Sequence, residues 1–168
     1  MNQDLARLAL DAGLFEPGRE RLRLAFGLAC VDRVQHLLED PRALACLTVL
    51  RDFVAGRSDA AALAAASREI AAVANRHRGS DSIVGCAHAA VSATFAAANA
   101  LAGRPLEAGS YAAYAAVYAY GGYAVNDPTA FEPEFEWQVA QLHRLAAEYP
   151  PSPARGPTQS PASRDGTS

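Results

Sequence analysis

The apolar residues of this chain recur with the three-to-four-residue spacing of amphipathic helices, and no run shows the alternation of a β-strand. Glycines that are typical of helix ends, such as Gly56, Gly79 and Gly103, separate the apolar stretches. The spacing predicts about six or seven helices within residues 1–149. Because the connections are short, we expect neighbouring helices to pack in antiparallel pairs, as an all-α, compact bundle with an alanine-rich core.

The clearest single stripe lies in GRERLRLAFGLACVDRVQHLLED, residues 18–40. Polar residues suited to capping precede two later helices: Ser58 is the predicted N-cap of one, and Ser80 or Asp81 that of the next. The alternative to a compact bundle is a solenoid of two-helix repeats, because RDFVAGRSD and ANALAGRPL both close a helix on Ala-Gly-Arg. The predicted core positions of residues 18–40 are Leu24, Leu28, Val31, Val34 and Leu38.

Composition changes sharply after the last predicted helix. Residues 150–168, PPSPARGPTQSPASRDGTS, are rich in proline and serine and contain few apolar side chains. Such a segment cannot bury enough apolar surface to offset the entropy that it loses on ordering. We therefore predict one helical domain over residues 1–149, followed by a disordered tail over residues 150–168.

Tyrosine and alanine dominate residues 111–125, YAAYAAVYAYGGYAV, within a helix that the pattern predicts over residues 107–125. A helix that is apolar on all sides is normally buried by its neighbours. Ala112, Ala115, Ala119 and Gly122 form a groove of small residues on this helix. The preceding helix carries a matching seam, and two such seams let helix axes approach closely. The seam consists of Cys86, Ala90, Ala93, Ala97 and Ala100.

The tyrosines of this helix fall on two sides. At about 100° per residue, Tyr111, Tyr114 and Tyr118 share one face, whereas Tyr120 and Tyr123 point roughly the opposite way. A cage that stacks a ligand would converge on one face. We therefore interpret the tyrosines mostly as core residues whose hydroxyls reach partners or water at the edge of the bundle.

The composition is that of a globular protein, with 51% hydrophobic residues, 20% charged residues and a formal net charge of −3. Nucleic-acid binders usually carry a basic excess or stripe, which this chain lacks. The N-terminal segment has no signal-peptide core, and the alanine-rich run over residues 83–103 is too weakly apolar for a transmembrane span. We expect a cytoplasmic protein without nucleic-acid or membrane partners, whose cysteines Cys30, Cys46 and Cys86 stay reduced.

The sequence carries no recognisable catalytic motif: it has no nucleophile elbow, zinc-protease motif or phosphate-binding loop. His88 shares a stripe with apolar residues, so we interpret it as a hydrogen-bonded core residue. Arg33, which lies three residues before His36, is expected to form an interhelical ion pair. We therefore predict a protein that is not an enzyme and that holds no metal or cofactor.

Acidic and aromatic residues alternate in NDPTAFEPEFEW, residues 126–137. One explanation is structural, because acids near a helix N-terminus interact favourably with the helix dipole. The functional alternative is a binding surface in which aromatic residues anchor a partner and the acids select a basic one, such as the cleft of a nuclease. The candidate partner-binding residues are Asp127, Glu132, Glu134, Glu136 and Trp137.

The segment FGLACVDRVQHLLEDPRALACLTVLRDFVAGRSDAAAL, residues 26–63, resembles the Imm-5-like immunity proteins of bacterial polymorphic toxin systems. The pattern is CxxRVxHLxED, then a helix that closes on RDFVAG, then an alanine-rich helix. A looser likeness extends over about residues 20–125. The resemblance implies a small, all-α cytosolic protein that binds and neutralises a cognate toxin, and it carries over no catalytic residue.

Three classes of function stay open at this point. The first is a non-enzymatic immunity protein, which a neighbouring toxin gene would favour. The second is a small ligand-binding or enzymatic bundle, which a polar pocket lined by His88 and tyrosine hydroxyls would favour. The third is an adaptor that forms homo-oligomers through its small-residue seams, which a concentration-dependent mass would favour.

Overall fold

The computed structural model describes residues 2–79 and 87–150. These residues form α-helices and short 3-10 helices without any β-strand, so the all-α prediction is confirmed. The predicted caps Ser80 and Asp81, the seam residue Cys86 and the predicted tail beyond residue 150 lie outside the described residues. The α-helices are α1 (Gln3–Asp11), α2 (Glu20–Val34), α3 (Pro41–Val54), α4 (Ala60–Arg76), α5 (Ala87–Leu101), α6 (Pro105–Tyr120) and α7 (Glu132–Glu148); the 3-10 helices span Gln35–Leu37, Ala124–Asn126 and Pro128–Phe131.

Helix α2 lies at the centre of the bundle, where it packs against α3, α5, α6 and α7. Of its predicted stripe, Leu28 is half-buried and the other members are buried. Additional residues, among them Leu22 and Phe26, are also buried, because neighbours cover α2 on several sides. A single stripe therefore underestimates how much of this helix the fold removes from water.

The pairing of α5 with α6 depends on small side chains. Ala93, Ala97 and Ala100 of the predicted seam are fully buried. Gly27 of α2 meets the same seam: a Cβ built on Gly27 would lie 3.1 Å from both the Cα and the Cβ of Ala100. On α6, Ala112 and Ala115 of the predicted groove are buried, whereas Ala119 and Gly122 are exposed. The close packing is therefore confirmed for the buried alanines and is wrong for the end of the groove.

Two side-chain amides join the ends of the described chain: Gln138 links α7 to α6, and Asn2 links α1 to α7. The Gln138 side chain, on α7, donates through Nε2 to the Gly109 carbonyl at 2.8 Å. Asn2, which caps α1, donates through Nδ2 to the carbonyl of Phe135 at 2.9 Å. Because buried polar groups must be satisfied, these bonds specify how α1 and α7 seat against the bundle.

Two predicted element ends are wrong. Helix α6 ends at Tyr120, not at Val125, because Gly121 adopts a φ of 142°, which side-chain-bearing residues rarely reach. Helix α4 is capped by Asp59 and not by Ser58: Oδ1 of Asp59 accepts from the backbone N–H of Ala62 at 2.8 Å. Both differences are local choices between adjacent polar or glycine residues, which periodicity does not resolve.

Candidate functional site

The predicted acidic cluster divides into parts, and the first of these faces the interior. Glu134 forms a bidentate ion pair with Arg33 of α2, in which Nε of Arg33 lies 2.9 Å from Oε2 of Glu134. The Arg33 guanidinium carbon lies 4.3 Å from the centroid of the Trp137 ring, and Trp137 packs against the main core. The hydrogen bond to Glu134 raises the pKa of Arg33. The interhelical ion pair predicted for Arg33 is confirmed, and it engages Glu134 and Trp137 within the fold.

The second part of the acidic cluster is a cap. The carboxylate of Asp127 accepts from the backbone N–H of Thr129 at 2.9 Å and from its hydroxyl at 2.7 Å. These bonds begin the 3-10 helix Pro128–Phe131 and hold the pKa of the Asp127 carboxyl below its usual value. Asp127 remains exposed, but its arrangement matches the structural explanation for an acid at this position.

The third part lines a groove between α1 and α7, which we call the acidic groove. Glu132 and Glu136 are exposed on its α7 side, and Asp4 is exposed on its α1 side. Apolar side chains of α7 form the floor. The groove has a volume of about 810 Å³, and its lining is Asn2, Gln3, Asp4, Glu132, Phe135, Glu136, Val139, Ala140 and His143.

The tyrosines of α6 are not core residues, so that interpretation is wrong. Tyr111 and Tyr114 are 39% and 44% exposed, and Tyr120 and Tyr123 are 83% and 79% exposed. The buried side of α6 is formed by small residues and Val117. Phe95 of α5 stacks on Tyr111, and Phe131 meets Tyr114, so the described residues cover the tyrosine side only in part and these two tyrosine rings still meet water.

His88 is also exposed, which contradicts its interpretation as a core histidine. Its ring centroid lies 5.4 Å from that of Tyr118. Although His88 does share a side of α5 with apolar residues, that side faces the tyrosines at the surface. The part of this stripe that the structure describes borders an aromatic surface and not the interior.

Tyr111, Tyr114 and Tyr118 belong to a cluster of rings, which we call the aromatic ridge. Tyr120 and Tyr123 lie outside it, and Phe131 within it is buried. Tyr118 lies 6.2 Å from Tyr114, measured between ring centroids, and Tyr114 meets Phe131 edge-on at 5.1 Å. Phe131 lies 5.8 Å from Phe135 in turn. Phe95 and Tyr111 stack at 5.4 Å. The aromatic ridge comprises His88, Phe95, Tyr111, Tyr114, Tyr118, Phe131 and Phe135.

A small hollow lies on the aromatic ridge. Its volume is about 260 Å³, and its walls are mostly apolar. Phe135 lines both this hollow and the acidic groove, so the two concavities adjoin. His88 does not contribute to its walls. The hollow is lined by Ser110, Tyr114, Val125, Pro128, Phe131 and Phe135.

Neither a metal-binding cluster nor an exposed cysteine thiol is present among the described residues. Across residues 2–79 and 87–150, no group of three His, Cys, Asp or Glu side chains could hold a metal ion. Cys30 and Cys46 are free and buried, and burial raises the pKa of both thiols, which leaves them protonated and poorly nucleophilic. Among the described helices, none has both the length and the apolar character that crossing a bilayer requires.

Comparison with family models, with curated proteins and with solved structures finds no match to this chain.

Proposed function

We propose that this chain is a non-enzymatic, cytoplasmic binding protein, and specifically an immunity protein that neutralises a cognate bacterial toxin. The observation that supports a binding role is the aromatic ridge. Contiguous aromatic side chains at a protein surface mark interaction sites more often than scattered ones do. Tyrosine is also enriched among the residues that contribute most to binding energy. The resemblance of residues 20–125 to Imm-5-like immunity proteins suggests the class of partner.

The fold does not require these tyrosines where they lie. The main core is built from other residues, such as Phe26, Leu47 and Ile70, which are fully buried. Tyr111 and Tyr114 instead leave a large part of each ring in water, which is an unfavourable arrangement for an isolated chain. A partner that covers them would gain apolar burial from side chains with few rotatable bonds to immobilise.

The hollow beside Tyr114, at about 260 Å³, is large enough for a single side chain of a protein partner. For a self-associating adaptor, Ala93 and Ala97 of the small-residue seam are buried between helices, so their use would require opening of the bundle.

The experiment is a growth-protection assay in cells that express a candidate toxin taken from the genes that neighbour this one. Wild-type protein should restore growth, whereas a Tyr111→Ser, Tyr114→Ser, Tyr118→Ser variant should not. In titration calorimetry, this variant should bind the toxin at least tenfold more weakly, because hot-spot residues contribute more than about 1 kcal/mol each. The matched control replaces Leu10 and Leu44 by serine; both are exposed apolar residues on α1 and α3.

Two results would contradict the proposal. A wild-type protein that gives no protection and does not bind the toxin would exclude the immunity role. A tyrosine variant that is folded by circular dichroism and still protects as well as the Leu10 and Leu44 control would remove the aromatic ridge from the interface.

A further inference from the structure

The hollow on the aromatic ridge and the acidic groove share one lining residue, Phe135. The ring of Phe135 lies 5.8 Å from that of Phe131, measured between centroids. The hollow is an apolar depression. The groove is a longer trough whose floor is apolar and whose edges carry carboxylates.

Two of the three groove carboxylates are not held by a hydrogen bond or ion pair within the described residues. Glu132 and Glu136 have no hydrogen-bond or ion-pair partner within the described residues, whereas Asp4 pairs with Arg7. Glutamates four residues apart repel one another and destabilise a helix by about 0.2–0.5 kcal/mol. The helix dipole offsets this cost for Glu132, which lies in the first turn of α7. Glu136 lies beyond that turn.

The charge of the groove defines the chemistry of its occupant. His143 is the single residue among its lining that can carry positive charge, against three carboxylates, of which Asp4 is already paired with Arg7. A segment that carries lysine or arginine would gain favourable charge pairing along the edges, and the apolar stems of those side chains would cover the floor. A second copy of this chain is a poorer occupant, because its formal net charge is also −3.

We propose that the hollow and the acidic groove together receive one continuous segment of the partner protein, in which an apolar anchor side chain adjoins two or more lysine or arginine residues. The anchor fills the hollow between Tyr114 and Phe135. The basic residues lie along the groove against Glu132 and Glu136. This inference rests on the proposed binding function and specifies what the partner presents.

The probe is a phage-displayed library of random peptides, about 12 residues long, selected on the full-length protein. The enriched peptides should combine one large apolar residue with an excess of lysine and arginine on one side of it. A synthetic peptide of the most enriched sequence then gives dissociation constants by fluorescence anisotropy. Raising the salt concentration should weaken its binding, because exposed charge pairs are screened.

Separate variants test the groove and the hollow. Glu132→Gln with Glu136→Gln should weaken peptide binding about three- to tenfold at low salt, since exposed ion pairs contribute modestly. Ser110→Leu, which adds volume at the wall of the hollow, should weaken it by displacing the anchor. The matched control is Glu20→Gln with Glu107→Gln, two exposed carboxylates outside the groove, and it should bind as wild type does.

The inference is overturned if the library yields no enriched peptide, or peptides without a basic excess. It is also overturned if the groove and hollow variants bind like the control, or if sedimentation shows a dimer that the groove and hollow variants dissociate. The growth-protection assay separates it from the immunity role. Protection that needs the tyrosines but survives both sets of variants leaves the immunity role standing and removes this inference. If the selected peptide binds as expected but the protein gives no protection, this inference stands and the immunity role is removed.

Discussion

Arg33 of α2 and Glu134 of α7 meet in a two-pronged ion pair, with distances of 2.9 Å from Nε to Oε2 and 2.5 Å from the second nitrogen to Oε1. Residues two apart on a helix point to nearly opposite sides. The contact that draws Glu134 toward α2 therefore turns Glu132 and Glu136 outward. One internal ion pair thus separates the acids that orient α7 from the acids that are available to a partner.

This ion pair should be measurable in a double-mutant cycle. Arg33→Gln and Glu134→Gln should each lower the free energy of unfolding by about 1 kcal/mol, and the coupling between them should be about 0.5–1.5 kcal/mol. The Glu134 side chain is 15% exposed and that of Arg33 is 37% exposed, so solvent screens the pair in part. Urea denaturation provides the measurement. Additive effects of the two substitutions would show that the pair does not couple α2 to α7.

Tyr114→Ala should have a small effect on stability. Because the side chain is 44% exposed, we expect the free energy of unfolding to fall by about 1 kcal/mol. Phe26→Ala, at a fully buried position, is the matched comparison and should cost about 3–5 kcal/mol. Urea denaturation of both variants tests this difference. Equal losses in the free energy of unfolding for the two variants would show that Tyr114 is a core residue.

Gly27→Ala should destabilise the protein even though alanine favours helices. The added methyl group would lie 3.1 Å from Ala100, and relieving that contact costs about 1–3 kcal/mol. This cost exceeds the gain in helix propensity, which is about 1 kcal/mol at most. Gly109→Ala is the control, since its methyl group would approach no closer than 3.4 Å to the Gln138 side chain. A thermal midpoint for Gly27→Ala above that of the control would contradict the close approach of α2 and α5.

The Asp127 carboxyl should titrate below its ordinary pKa of 3.8. Its hydrogen bonds to Thr129 favour the charged form, so their stabilisation is present above that ordinary value and is lost as pH falls through the lower folded-state pKa. Carbon-detected NMR titration measures the shift. Thr129→Val should move the pKa back up, while Thr129→Ser, which keeps the hydroxyl, should not. Identical titration curves for the two variants would argue against this origin of the shift.

The sequence alone determined the all-α class, the positions of most helices and the small-residue packing of α5 and α6. These features depend on local periodicity and on residue size, and both can be read directly from the sequence. The burial of Ala93, Ala97 and Ala100 follows directly from their spacing. The ion pair of Arg33 was also predictable in kind, because a charged residue on a mostly apolar helix needs a partner.

Only the tertiary structure decided which apolar face stays uncovered. Tyr114 and Ala112 belong to the same helix, yet one is exposed and the other is buried, because Ala112 packs within the main core whereas Phe131 covers Tyr114 only in part. Similarly, nothing in the spacing of Glu132, Glu134 and Glu136 shows which of them meets Arg33. Periodicity reports how apolar and polar residues are distributed around a helix. The arrangement of distant helices determines which of those residues water, or a partner, can reach.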